Sequence, residues 1–242
     1  MIQLLIIEGI FMSKSITNQT KKLLTIIISA VIAVAVMCAV ESILQPGYVW
    51  KSVVKITMFF GSVVLFYLIY KDEKIKNHFK IKDKKAFAVC VVVALLTIGV
   101  ILGAYALIQD YVNPEQIKDS LLNKEKVSVD NFLYVALYIS AVNSFLEEIF
   151  FRGLLFLQVK KLGHRKLAYN LSALFFAVYH IGIVSGWFNI WVFLLVIFLL
   201  YVAGVILNIA AEKCDSFLGS WVIHIAANIG INAIGCFVLG VF

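Results

Sequence analysis

Residues 131–159 read NFLYVALYISAVNSFLEEIFFRGLLFLQV, and this stretch decides the fold. A membrane-crossing helix takes about 20 predominantly apolar residues, and the run is longer than that. It nevertheless contains Glu147, Glu148 and Arg152. A charge at the centre of a spanning helix costs roughly 2.5–3.5 kcal/mol on insertion scales. Three together must find partners or water, so this segment is where a function is to be sought.

The rest of the chain agrees with a membrane setting. Of its 242 residues 62% are hydrophobic and only 14% are charged, and its mean hydropathy is +0.98. A soluble domain is about half apolar and about a quarter charged. Seven apolar segments are long enough to be read as spans: 23–44, 53–70, 86–108, 131–158, 167–184, 190–211 and 217–241. The two prolines, Pro46 and Pro114, fall between spans, which leaves the helices uninterrupted. The predicted fold class is therefore all-α, a multi-pass bundle of about seven helices. The 110–130 connection is nearly charge-balanced and slightly acidic, and the sequence does not decide whether it forms a short interfacial helix. Residues 1–11 form an apolar run too short to span a bilayer and lack a basic signal-peptide start. With Met12 available as a start, they read as a dispensable extension.

The net charge of +7 could point to nucleic acid, but the placement of the charges argues otherwise. Fifteen basic residues fall at alternate ends of the spans, including seven lysines in KDEKIKNHFKIKDKK (71–85) and four basic residues in KKLGHRK (160–166). Five fall on the opposite side: Lys51, Lys55, Lys118, Lys124 and Lys126. Basic residues favour cytoplasmic loops, so the N terminus is placed inside. The basic run reads as a loop beside anionic lipid, and no nucleic-acid partner is expected. The four cysteines, Cys38, Cys90, Cys214 and Cys236, have no metal-ligand spacing and read as small hydrophobes.

Within the later spans the ionisable groups are Glu147, Glu148, Arg152, His180 and His224. Glu148 and Arg152 stand at i and i+4, on one helix face, and are expected to pair. Glu147 is turned about 100° away and has no local cation; desolvation there suits a general base. Phe176 and His180 share a face in FFAVYH, as do His224 and Asn228 in HIAAN. Singly, each polar group reads as a structural hydrogen bond. Their conjunction on three helices favours a buried polar site. Counted from the basic turn, Glu147 comes out near mid-membrane and His180 in the outer half, so a kink or re-entrant geometry is expected to bring them level.

The chain resembles the CPBP family of intramembrane proteases, the CAAX-protease and bacteriocin-processing group also called Abi. The resemblance rests on three motifs in order: E-E-x-x-x-R (Glu147, Glu148, Arg152), F-x-x-x-H (Phe176, His180) and H-x-x-x-N (His224, Asn228). It covers about residues 131–235; the first 130 match only as generic spans. The implied activity is endopeptidase cleavage of a peptide or membrane-protein substrate. Glu147 and His180 would activate water, His224 and Asn228 would stabilise the oxyanion, and Glu148, Arg152 and Phe176 would support the site. No cofactor is expected from this resemblance. Were zinc used, Glu147, His180 and His224 would be its ligands. The chain divides into 1–130, a tail and three spans, and 131–242, a catalytic membrane core. Localisation in a bacterial plasma membrane is expected from the spans and the lysine- and isoleucine-rich composition. A bacteriocin self-immunity protein or a non-enzymatic membrane scaffold are the alternatives.

Overall fold

A computed structural model of the chain describes residues 2–71, 77–111, 113–185 and 188–241. Part of the lysine-rich loop, residues 72–76, thus lies outside the described residues. Among the described residues there are helices and no strands. Seven helices are long and apolar enough to cross a membrane: α1 Thr17–Leu44, α2 Tyr48–Tyr70, α3 Lys84–Ile108, α4 Val129–Lys161, α5 Arg165–Val184, α6 Ile190–Cys214 and α7 Phe217–Leu239. They coincide with the seven segments read from the sequence, within a few residues at each end. The helix that contains α1 begins at Ile2, so the N-terminal apolar stretch continues into it.

The connections follow local chemistry. Gln45 adopts a left-handed conformation (φ 41°) just before Pro46, and the chain turns there from α1 into α2. Asp83 accepts from the Lys85 and Ala86 amides at 2.9 and 3.0 Å and caps α3. Asn189 caps α6 through the Trp191 and Val192 amides, and Ser216 caps α7 through Leu218 N–H. Each cap satisfies amides that the helix leaves open. The 110–130 connection, left open by the sequence, contains a short helix, Pro114–Asp119, with proline in its first turn and Asn113 as cap. Gly163, at φ 89°, makes the tight turn between α4 and α5, a conformation that a Cβ disfavours.

α4 is the central helix. Every residue from Ile149 to Gln158 is buried, whereas much of α3 and α6 exposes Leu95, Leu107, Trp191 and Phe198. An apolar exterior of that kind suits lipid. α4 is also wound unevenly: the α-helical turn Ser144–Glu148 lies between π-helical stretches Ile139–Asn143 and Ile149–Gln158. Wide turns of this sort occur often at functional sites. Around this turn packs an aromatic layer: Phe59 stacks on Phe150 at 4.5 Å and meets Tyr179 edge-on at 5.3 Å. α5 and α6 approach closely at Gly204, where a Cβ would come within 2.9 Å of Ala173 Cα.

One charge assignment changes. Lys51 and Lys55, counted from the sequence among the outer charges, are helical residues of α2 and are only 3% and 7% exposed. Lys51 joins Glu41 at 2.7 Å and Glu125 at 2.9 Å, tying the end of α1 and the 110–130 connection to α2. Lys55 points into the centre of the bundle.

Candidate active site

The site is built on the turn Ser144–Glu148. Glu147 is 2% exposed and Glu148 is fully buried. Consecutive helical residues point in different directions, and the two carboxylates enter separate sets of partners.

Glu148 behaves as the i,i+4 spacing predicts. Its Oε1 lies 3.0 Å from Arg152 Nη1, both side chains being fully buried. The Arg152 guanidinium also lies over the Phe176 ring, 4.3 Å from its centroid, so Phe176 shields the ion pair. The same Oε1 accepts from His224 Nδ1 at 2.9 Å. A carboxylate can only accept, so His224 carries a proton on Nδ1 and turns Nε2 the other way.

Glu147 is not the isolated carboxylate expected from α4 alone, and here the sequence reading is corrected. Its Oε1 accepts from Asn143 Nδ2 at 2.8 Å and Tyr179 Oη at 3.2 Å, and lies 3.4 Å from Lys55 Nζ. The cation comes from a different helix, which spacing along α4 could not reveal. Its Oε2 has no hydrogen-bond partner among the described residues. That oxygen faces His224 Nε2 at 3.8 Å and His180 Nε2 at 4.0 Å.

His180 Nδ1 lies 2.7 Å from the Phe176 carbonyl, which can only accept, so its proton sits on Nδ1 and Nε2 turns toward Glu147. No kink brings the two level, since α5 is an unbroken helix. In an antiparallel hairpin, residues equally far from the turn share a depth. Glu147 and His180 lie sixteen and seventeen residues from Gly163. The expected difference in depth was a misreading of that symmetry.

Asn228 is on α7, one turn beyond His224. Its Nδ2 donates to Ile139 O at 3.1 Å, which leaves the second amide hydrogen uncommitted by that bond. Asn232, a further turn along, donates to Ala136 O and Ser140 Oγ, both at 3.2 Å. Trp221 Nε1 donates to Ser144 Oγ at 3.0 Å. α7 is therefore stapled along the first half of α4, and this holds His224 against Glu148.

Glu147, His180 and His224 thus converge through one carboxylate oxygen and two ring nitrogens. Oxygen and nitrogen atoms 3.8–4.0 Å apart can both reach a single water at about 2.8 Å. Ligands around a tetrahedral zinc at about 2.0–2.1 Å stand closer, roughly 3.3 Å apart. Among the described residues no group of three His, Cys, Asp or Glu side chains stands at metal-binding spacing. The spacing does not fit a zinc ion, and no step is derived through one.

The residues missed by the motifs are Lys55, Tyr179 and Asn143. Asn143 belongs to none of the three motifs, and Tyr179 was visible only as the neighbour of His180 in FFAVYH. The available signal for Lys55 was its place in YVWKSVVKITMFF, four residues after Lys51 on one helical face.

Residues 129–230 match the family model of the type II CAAX prenyl endopeptidases, Rce1-like. This segment holds every residue of the three motifs and is somewhat under half of the 242-residue chain. It is the CAAX-protease family that the motifs resemble, and it implies a membrane-embedded protease. No curated protein and no solved structure matches the chain.

Proposed function

We propose that this protein is an intramembrane endopeptidase in which Glu147 and His180 activate a water molecule for attack on a peptide bond. One observation carries the reading. Glu147 Oε2 is buried and unpartnered among the described residues, and it faces two imidazole nitrogens at distances that one water can bridge.

The chemistry follows from the protons assigned above. Neutral His180, protonated on Nδ1, offers Nε2 as an acceptor. Glu147 Oε2 is also an acceptor. A water giving one hydrogen to each turns its oxygen lone pairs toward the substrate carbonyl. As the water oxygen bonds to the carbonyl carbon, its proton passes to Glu147. The carbonyl oxygen becomes an oxyanion. His224, with Nδ1 against the Glu148 carboxylate, is placed to donate from Nε2 when its ring is protonated, and the free hydrogen of Asn228 is the second candidate donor. Such a donor is worth about 100- to 1000-fold in rate. Collapse of the intermediate breaks the C–N bond, and the proton held by Glu147 goes to the leaving nitrogen. The products are a new carboxyl terminus and a new amine.

Glu148, Arg152 and Phe176 keep the site in shape. The family description names prenyl endopeptidases; for this chain the proposed substrate is a peptide or the tail of a membrane protein, with or without a lipid on it. The proposed setting is a bacterial plasma membrane, with the lysine-rich ends of the spans in the cytoplasm. A self-immunity protein would use the same residues and is separated by its substrate.

The test is hydrolysis of quenched fluorogenic peptides, prenylated and unprenylated, by purified protein in lipid vesicles. Cleavage that is lost in Glu147→Gln and His180→Ala is expected. Full activity in both folded variants would overturn the reading. Metal analysis of the same preparation checks the catalytic type: stoichiometric zinc required for cleavage contradicts the glutamate mechanism.

A further inference from the structure

Lys55 comes from α2, outside the segment matched by the family model, yet its ammonium reaches the centre of the site. It is 7% exposed. It donates to Asn143 Oδ1 and to Glu147 Oε1, the latter at 3.4 Å, and it lies over the Tyr179 ring at 5.1 Å.

An ammonium has only donors. The Asn143 atom facing Lys55 must therefore be the carbonyl oxygen. That fixes the amide, so that Nδ2 faces Glu147, where it donates at 2.8 Å. Tyr179 Oη donates to the same carboxylate oxygen at 3.2 Å. Glu147 Oε1 thus has three donors, one of them charged, and Oε2 has none among the described residues. The two oxygens of one carboxylate are separated into an anchored one and a reactive one. Without Lys55, the Asn143 amide is free to turn over and present its oxygen to Glu147, and the carboxylate can rotate away from His180.

We infer that Lys55 is a positioning residue of the peptidase: through Asn143 it anchors Glu147 Oε1 and so holds Oε2 toward the water. The inference rests on the hydrolytic reading of the site. It predicts that a residue of the first three spans, not only the matched segment, sets the rate of the chemical step.

The experiment uses the full chain in lipid vesicles, with a proteome-derived peptide library as probe and 18O-labelled water to mark new carboxyl termini. The best-cleaved peptide is resynthesised for kcat and KM. Wild type, Glu147→Gln, Lys55→Met, Lys55→Gln and Lys55→Arg are compared, with thermal unfolding of each. Lys55→Met is expected to lower kcat about 100-fold, the size of effect seen when one aligned polar group is lost, with KM within about twofold. Lys55→Arg, which keeps charge and donors, is expected to recover about tenfold of that loss. If Lys55→Met does not fold, the contrast between Lys55→Gln and Lys55→Arg decides in the same way. Unchanged kcat in Lys55→Met, or a change in KM alone, overturns the inference while leaving the peptidase reading intact. A wild type that forms no labelled termini, or a Glu147→Gln that forms as many, overturns the reading and the inference with it.

Discussion

Lys51 and Lys55 stand one turn apart on α2, both buried, and each meets carboxylates from other elements. Lys51 closes a cluster with Glu41 at 2.7 Å and Glu125 at 2.9 Å, and among the described residues neither carboxylate has a buried oxygen without a partner. Lys55 meets one carboxylate, Glu147, and the Asn143 amide, and Glu147 Oε2 has no hydrogen-bond partner among the described residues while two imidazoles face it. Leaving a buried polar atom unpaired costs roughly 1–3 kcal/mol, more for a charged group. The Lys51 cluster spends its charges on holding elements together. Glu148 Oε2 and the Arg152 guanidinium nitrogens are also buried without hydrogen-bond partners among the described residues, so what sets the Lys55 cluster apart is that its open oxygen faces two imidazole nitrogens.

Substitutions can test this contrast. The largest effect is expected at Glu147: Glu147→Gln lowers the cleavage rate at least about 1000-fold, within the range for loss of a general base, while size-exclusion elution and helical content stay native. Glu41→Gln, the matching change in the other cluster, keeps cleavage by the folded protein within about threefold, because Glu41 is bonded to Lys51 and not to the reacting groups. Equal losses in the two variants would erase the distinction. His180→Ala is expected to lose about 100-fold or more in the same assay, since Nε2 is one of the two acceptors for the water.

Next come effects on stability. Arg152→Met removes one half of a fully buried ion pair and leaves Glu148 with His224 as its other polar partner among the described residues. Breaking such a pair costs about 3–5 kcal/mol, to be read as a loss of resistance to denaturation in detergent. Lys51→Met is expected to destabilise by a similar amount, about 3–5 kcal/mol, but with kcat of the folded fraction preserved. The smallest effect is at the contact between α5 and α6. Gly204→Ala puts a Cβ about 2.9 Å from the Ala173 backbone and should cost about 1–3 kcal/mol as local overpacking, seen as a lower unfolding temperature.

The architecture was legible because lipid imposes a simple rule on each segment: about 20 apolar residues and a helix. All seven spans could be read this way, and so could the Glu148–Arg152 pair, whose partners sit on one helix. His180 was identified by its motif but placed at the wrong depth, although the chain's symmetry about Gly163 already put it level with Glu147. Lys55 could not be assigned because its meaning lies in contacts 88 and 92 residues away along the chain. In sequence it was a lysine near the end of a span, and the positive-charge count placed it among the outer charges. Tyr179 was hidden for a related reason: its ring reads as apolar packing, and only the fold shows its hydroxyl on Glu147.

The most direct test of the central claim, that Glu147 Oε2 activates water for peptide hydrolysis, is comparative peptidomics of cells carrying the wild-type chain or Glu147→Gln, with Glu41→Gln as the structural control. The account predicts at least one fragment that is present with wild type and Glu41→Gln and missing with Glu147→Gln at equal protein levels. Identical fragment sets in all three strains would contradict it.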